Sequence, residues 1–152
     1  MEILEQLRIC GFTEAGRIAM AGDYPAPTID KACCWSGGVY AWVAHWEGAA
    51  EILYVGKAGR TLRQRCREHQ AGFNGTAGSR AGLRNGAYLA EALRTGARIS
   101  IWGRASAHIE LFGQSVSLCS TEEEALIARF TPALNRSAKP KVRLERPPMR
   151  CD

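Results

Sequence analysis

Two runs of aromatic and β-branched residues, separated by a short segment of small and polar residues, constrain the fold more than any other feature. Val39 to Trp46 and Ile52 to Lys57 have the composition of strands, and residues 47–50 between them suit a tight turn. A connection this short joins antiparallel neighbours, so we predict a β-hairpin.

A helix start signal follows the second strand of this hairpin. The run Thr61-Leu62-Arg63-Gln64 fits a capping box, which predicts a helix from Thr61 to about Gln70 that ends before Gly72. On a wheel of about 3.6 residues per turn, Leu62 and Cys66 form the buried stripe and Arg65 and His69 flank it. Both polar side chains are therefore expected at the helix edge, beside the sheet.

Periodicity and the placement of glycine and proline predict the other elements. We expect an N-terminal helix over residues 2–9, a second short helix from Thr13 to Ala19, and a loop over 22–38. After a further loop over 72–85 we expect a helix over 87–95, a strand over 98–102, and a strand pair within 109–118. The sequence thus predicts an α+β domain, with a small, mainly antiparallel central sheet flanked by helices and a short helical N-terminal extension.

The last predicted helix carries an acidic residue on its apolar side. Thr121 and Glu124 suggest a capping box, and the apolar stripe beyond them is Leu126, Ile127 and Phe130. Projecting back along the helix puts Glu123 at the centre of that stripe, with its carboxylate toward the core. A buried carboxylate needs a partner such as a metal ion, an arginine or a substrate-facing cavity. The alternative is an ordinary first-turn acid that stabilises the helix dipole.

Charge is unevenly distributed along the chain. The formal net charge is +5, and Arg60, Arg63, Arg65 and Arg67 lie in or beside one short helix. A second basic group ends the chain, at Arg136, Lys139, Lys141, Arg143 and Arg146. Both groups could neutralise phosphates, and the alternative is a solvated helix face and a disordered tail.

Size and cysteine usage exclude several classes of protein. The 152 residues suit one domain, with no apolar run near the roughly 20 residues of a membrane span. The N-terminus lacks the order of a signal peptide, and the six cysteines show no Cys-x-x-Cys spacing. We therefore expect reduced cysteines, a cytoplasmic location and no membrane partner.

Several separated motifs occur in an order that matches a known family. They are Gly38-Val39-Tyr40, Tyr54-Val55-Gly56-Lys57-Ala58, Arg65 with His69, and Glu123-x-x-Leu126-Ile127-x-x-x-x-Pro132-x-x-Asn135. Together they resemble the signature of the GIY-YIG nucleases. The resemblance covers residues 37–135, and it divides the chain into an N-terminal extension (1–36), a nuclease-like domain (37–135) and a basic tail (136–152).

The resemblance implies a divalent-metal-dependent DNA endonuclease. Magnesium is the implied ion, with manganese able to substitute, and Glu123 is the implied protein ligand. The implied catalytic residues are Tyr40, Tyr54, Arg65, His69, Glu123 and Asn135. Gly56, Lys57, Arg63 and Arg67 would contact the substrate. Alternatives are a non-catalytic nucleic-acid-binding module with the same fold, and a nuclease toxin or effector.

The resemblance leaves the subfamily and one alignment open. The segment from Tyr54 to Ala58 and the last helix look closest to the N-terminal domain of the bacterial excision-repair incision protein, whereas His69 is closer to homing and restriction endonucleases of the family. The linker between Tyr54 and Arg65 is a residue longer than in some members. Arg65 is chosen by its spacing to His69, and Arg63 and Arg67 remain alternatives.

Overall fold

A computed structural model describes residues 2–33 and 35–135 of the chain. It contains four α-helices, seven strands and one short 3₁₀ helix within those ranges. The helices are α1 (Ile3–Ile9), α2 (Leu62–Phe73), α3 (Arg80–Arg94) and α4 (Cys119–Phe130), and the 3₁₀ helix is Ala133–Asn135. The strands are β1 (Thr13–Ala21), β2 (Tyr24–Ile29), β3 (Ser36–Trp46), β4 (Ala49–Thr61), β5 (Arg98–Ala105), β6 (His108–Leu111) and β7 (Gln114–Ser117).

The central sheet has five antiparallel strands in the order β2-β1-β5-β3-β4. The predicted hairpin is confirmed as β3 and β4, with Tyr40 paired to Gly56. The predicted α+β class is also confirmed, including the helix over the first residues. The first 36 residues supply two strands of this sheet, so β1 and β2 continue the same layer as β3 and β4.

Two cores form because alternate residues of β3 point to opposite faces of the sheet. On one face, Tyr40 and Trp42 pack with apolar residues of α2 and α3, including Leu62 and Leu89. On the other face, the core contains Val39, Ala41 and Val43 of β3 and Leu7 of α1, and Leu126, Ile127 and Phe130 of α4 pack against it. The sheet is therefore a middle layer between two helical layers.

The helix predicted from Thr13 to Ala19 is wrong, because this segment is strand β1. Its alanines favour a helix as single residues, but hydrogen bonding to β2 and β5 overrides that weak preference. A Cβ on Gly16 would lie 2.0 Å from the Thr28 carbonyl oxygen, so glycine permits this close strand contact. The predicted loop over 22–38 likewise contains strand β2, whose Pro25 and Pro27 are tolerated at the sheet edge.

Helices α2 and α3 are both longer than predicted, because glycines that suggested a loop mediate helix packing. A Cβ on Gly82 would lie 2.7 Å from the Gly72 Cα, and one on Gly86 would lie 2.8 Å from the Phe73 Cα. The two helices thus approach closely where side chains are missing. The cap of α2 is as predicted, since the Thr61 hydroxyl accepts from the Gln64 backbone N–H at 3.1 Å.

The remaining expectations concern mainly the second half of the chain. The strand over 98–102 and the strand pair after it are confirmed as β5 and as β6 with β7. The capping box at Thr121 and Glu124 is wrong, since α4 begins two residues before Thr121 and Leu118 is its N-cap. The basic tail, residues 136–152, lies outside the described residues. Within the described ranges, no helix is long and apolar enough to cross a membrane.

Candidate active site

The predicted site residues of β3 and α2 meet in one hydrogen-bonded group. The Tyr40 hydroxyl lies 2.5 Å from Nε2 of His69, and Nε of Arg65 donates to the Tyr40 oxygen at 3.3 Å. The i,i+4 spacing places Arg65 and His69 on the same side of α2, the side that faces β3. The order of donors is therefore Arg65 to Tyr40 to His69.

Burial sets the protonation states of this group. Loss of solvent contact, aided by the Arg65 charge, lowers the pKa of His69 to about 3, so this imidazole is neutral at pH 7 and can accept a hydrogen bond. Burial raises the pKa of Tyr40 well above its usual value, and the opposing effect of Arg65 is smaller. At neutral pH the Tyr40 hydroxyl is therefore protonated and donates to His69. Tyr40 has no exposed surface.

Gly56 makes room for the Tyr40 hydroxyl. An added Cβ at this position would lie 2.5 Å from the Tyr40 hydroxyl oxygen and 2.8 Å from Cε1 of Tyr54. Because Gly56 is paired with Tyr40 across the hairpin, the phenol ring leans over its own strand partner. Any larger residue would displace the hydroxyl from His69 and Arg65.

An aromatic cluster surrounds the His69 ring. Tyr54 stacks on Trp42 with 4.3 Å between ring centroids, and its own ring lies edge-on to His69 at 5.6 Å. Trp42 and Phe73 also contact the imidazole, at centroid distances of 4.7 and 5.9 Å. Trp42 was not among the predicted site residues, although it follows Tyr40 by two residues and so shares its face of β3.

An open cavity of about 380 Å³ adjoins Arg65 at the start of α2. It is lined by Ala58, Gly59, Arg60, Thr61, Gln64, Arg65 and Glu68. Arg65 also forms an ion pair with Glu68 at 2.7 Å, which the sequence analysis did not anticipate. Arg63 and Arg67 do not line this cavity. They are exposed elsewhere on α2 and, within the described residues, have no hydrogen bond to Tyr40.

Asn135 holds the outer edge of β4. Its side-chain oxygen accepts from the Val55 backbone N–H, and its side-chain nitrogen donates to the Val55 carbonyl, each at 2.7 Å. The side chain thus binds β4 as a neighbouring strand would. This contact fixes the position of the strand residue between Tyr54 and Gly56.

Within the described residues, no hydrogen bond or ion pair joins Glu123 to the Tyr40 group. Helix α4 packs on the opposite face of the sheet from α2, and Lys57 of β4 donates to the Ser120 hydroxyl of α4 at 2.9 Å. Glu123 is half-buried, whereas the sequence pattern predicted it at the centre of the apolar stripe with its carboxylate toward the core, and it makes no hydrogen bond or ion pair within the described residues.

Glu122 is the more firmly held acid of α4, and the sequence analysis missed it. One carboxylate oxygen accepts from Arg104 and from the backbone N–H of Ala107, each at 3.2 Å, while the other oxygen is buried without a partner in the described residues. The sequence does contain a signal for the burial of Glu122, because Glu122 precedes Leu126 and Phe130 by four and eight residues and shares their stripe. A group of three or more metal-ligating side chains is absent from the described residues.

Comparison with solved structures relates the fold to known proteins. A mutant of bacteriophage T4 EndoII matches with a TM-score of 0.67 at 16% identity, covering 90% of this chain and 100% of that one. Restriction endonuclease HPY188I in complex with product DNA matches with a TM-score of 0.48 at 12% identity, covering 93% and 84%. Neither a protein-family model nor a curated protein sequence matches the chain. The chain is thus similar in fold to T4 EndoII over most of its length.

Proposed function

We propose that this chain is a divalent-metal-dependent endonuclease of the GIY-YIG type, which hydrolyses DNA phosphodiester bonds. The observation that carries the proposal is the hydrogen-bonded group of Tyr40, His69 and Arg65 over Gly56. All four residues belong to the motifs that carry the resemblance to the GIY-YIG nucleases. A fold shared with T4 EndoII is a second, coarser support for a nuclease.

Tyr40 and His69 would orient an attacking water. The neutral imidazole accepts a hydrogen bond from the phenol, so the Tyr40 oxygen could itself accept a hydrogen bond from the water. Because Tyr40 has no exposed surface, an attacking water reaches this oxygen only if the contact at Arg65 opens toward the adjoining cavity. Tyr54, half-buried beside them, would orient water or phosphate.

Arg65 would stabilise negative charge on the reacting phosphate. Its guanidinium lies between Tyr40 and the cavity and is held there by Glu68. A phosphate that entered the cavity would displace the exposed Glu68 carboxylate from this guanidinium. The phosphate oxygens would then accept its hydrogen bonds. Arg60 lines the same cavity and adds a second cation for the substrate.

Glu123 would hold the divalent ion. Magnesium commonly binds one or two carboxylates and keeps several waters, so a single half-buried carboxylate suffices as protein ligand. Glu68 and Glu122 are paired with arginines, whereas Glu123 makes no contact of this kind in the described residues. When bound, the ion would supply charge stabilisation to the phosphate oxygens.

DNA is the proposed substrate because cations surround the cavity and its helix. Arg60, Arg63 and Arg67 are exposed in or next to α2, and Lys57 is exposed on β4. These side chains could track the phosphate backbone on either side of the cavity. The tail over 136–152 would add to this charge, in which case truncation after about Ala138 would weaken DNA binding and flatten its salt dependence.

The test is a cleavage assay on plasmid, branched and single-stranded DNA with magnesium, manganese or EDTA. We expect cleavage with either metal and none with EDTA. Arg65→Ala serves as the variant impaired in chemistry, and Arg84→Ala, an exposed arginine of α3, serves as its matched control. A folded wild-type protein that binds DNA without cleaving any of the substrates would support the non-catalytic alternative and contradict the enzyme.

A further inference from the structure

The β6–β7 hairpin projects an uncovered apolar surface. Ile109 pairs with Val116 across the two strands, and Leu111 shares their face two residues beyond Ile109. Their exposed fractions are 42% for Ile109, 46% for Leu111 and 37% for Val116. At the tip, the Phe112 side chain is fully exposed. The opposite face carries His108, Glu110, Ser115 and Ser117, so the hairpin is apolar on one side only.

Both the backbone conformation and the exposure of Phe112 are unfavourable for a phenylalanine. Its φ is 51°, a left-handed conformation that bulky residues rarely adopt, and it is followed by Gly113 at φ 75°. Two consecutive left-handed residues define a turn whose first position favours asparagine, aspartate or glycine. The aromatic ring is also fully exposed to solvent. A bulky apolar residue that keeps both a left-handed backbone conformation and a solvent-exposed ring indicates that this tip binds a partner.

The base of the hairpin is fixed to α4, the helix that carries the proposed metal ligand Glu123. The backbone N–H of Leu118 donates to the Ala107 carbonyl at 2.9 Å, and Leu118 is also the N-cap of α4. Glu122 accepts from the Ala107 N–H, which ties the other strand end to the same helix. The hairpin therefore extends directly from the helix that carries Ser120, the Lys57 contact and Glu123.

The chemistry of the hairpin favours contact with bases over contact with phosphates. Residues 108–117 contain no lysine or arginine, so this segment brings no cation to the DNA backbone. Phosphate contacts would come from Lys57 and the arginines near α2, which leaves the tip free to enter a groove. Apolar side chains inserted between base pairs are a common means by which proteins kink a duplex.

We propose that Phe112 is a wedge that inserts between base pairs of duplex DNA and bends the substrate beside the proposed active site. This inference rests on the proposed DNA endonuclease function and names a structural feature of its substrate: a base step that unstacks. Flexible pyrimidine–purine steps are the easiest to unstack, so they are the expected position of the wedge.

The test uses Phe112→Asn, which removes the ring and supplies a residue that this turn position favours. Duplexes carrying 2-aminopurine at a central TA step, or a donor and acceptor dye at their two ends, report unstacking and bending with EDTA present. We expect wild-type protein to raise 2-aminopurine fluorescence and shorten the end-to-end distance. Phe112→Asn should lose both signals and bind duplex DNA about tenfold more weakly. Ile9→Asn, which removes an exposed apolar residue of α1, should behave as wild type.

Cleavage in magnesium, measured in parallel, separates this inference from the proposed function. Wild-type protein that binds and cleaves DNA, with bending unchanged in Phe112→Asn, would overturn the wedge and leave the endonuclease intact. Wild-type protein that neither binds nor cleaves DNA would overturn both. Sedimentation that shows a wild-type dimer, and a Phe112→Asn monomer with the wild-type bend, would assign the tip to self-association and would also overturn the wedge.

Discussion

The Tyr40 hydroxyl lies 2.5 Å from Nε2 of His69, across the interface between β3 and α2. The two residues are 29 apart in sequence and meet because Gly56, the strand partner of Tyr40, has no side chain to exclude the hydroxyl. This contact joins the folding of the hairpin to the placement of the helix. Its consequences can be measured in stability as well as in activity.

Stability should fall with acid because His69 is held neutral. Its pKa is 6.5 in an exposed state and about 3 in the folded protein, so below pH 6.5 the unfolded chain binds a proton that the folded chain does not. The contribution is complete above pH 6.5 and is lost on acidification, by at most about 1.4 kcal/mol per pH unit. Urea unfolding between pH 7.5 and 4.5 measures this slope. His69→Gln keeps an acceptor for Tyr40 without titrating, and an equal slope in that variant would contradict the assignment.

Arg65 should matter for turnover more than its neighbours on α2. Arg65→Ala removes the guanidinium that contacts Tyr40 and lines the cavity, and we expect turnover to fall by about 10² or more. Arg63→Ala and Arg67→Ala, at exposed positions, should mainly weaken binding in a salt-dependent way. Single-turnover rates and binding at two salt concentrations give the ranking. If Arg63 or Arg67 limits turnover instead, the alignment through His69 is incorrect.

Substitution of Glu123 should affect cleavage, whereas substitution of Glu122 should affect stability. Glu123→Gln should abolish metal-dependent cleavage while the protein stays folded and binds DNA, since this carboxylate makes no contact in the described part of the chain. Glu122→Gln should lower stability by about 1–3 kcal/mol, because it weakens the bonds to Arg104 and Ala107. Glu124→Gln, at an exposed position, is the control. Wild-type cleavage by Glu123→Gln would remove Glu123 as the metal ligand.

Asn135 should not tolerate an isosteric acid. Asn135→Asp can still accept from the Val55 N–H but cannot donate to the Val55 carbonyl, and the two oxygens would repel each other. We expect it to destabilise by at least as much as Asn135→Ala, about 1–3 kcal/mol. Urea midpoints of the three proteins test the order. An aspartate variant as stable as wild type would mean that the donated bond contributes nothing.

A methyl group at residue 56 should disrupt the site. Gly56→Ala places a Cβ 2.5 Å from the Tyr40 hydroxyl, closer than real contacts allow, so we expect a loss of about 1–3 kcal/mol and loss of cleavage. Gly59→Ala on the same strand meets no atom within 4 Å and should be nearly neutral. Thermal unfolding and the plasmid assay compare them. Equal behaviour of the two variants would contradict the close approach.

The parts of the fold that local chemistry determines could be predicted from the sequence. The β3–β4 hairpin, the Thr61 cap and the β6–β7 pair depend on neighbouring residues, and they occur as expected. Strand β1 was missed because its local composition favours a helix; of its two partners, β2 follows directly in sequence and β5 lies more than 80 residues away. The start of α3 was missed for a similar reason, since Gly82 and Gly86 are explained by α2 and not by their own turn.

The candidate site shows the same division. Helical spacing alone places Arg65 and His69 on one side of α2, and strand pairing brings Tyr40 to Gly56. The sequence did not show that Glu122 and not Glu123 is the hydrogen-bonded acid. Its partners, Arg104 and Ala107, lie outside α4 and carry no motif. The ion pair of Arg65 with Glu68 has helical i,i+3 spacing, but many such pairs on exposed helices have no functional meaning.

The prolines of β2 determine how this sheet ends. Backbone groups of an edge strand point alternately toward its neighbour and toward solvent, and Pro25 and Pro27 lie at alternate positions that leave the bonds to β1 intact. Two of the outward positions therefore have no N–H to offer an incoming strand. At the other edge, Asn135 already occupies the outward groups of Val55. Within the described residues, each edge of the sheet thus lacks some of the groups that an added strand would bind, and a strand that paired with Val55 would first have to displace Asn135.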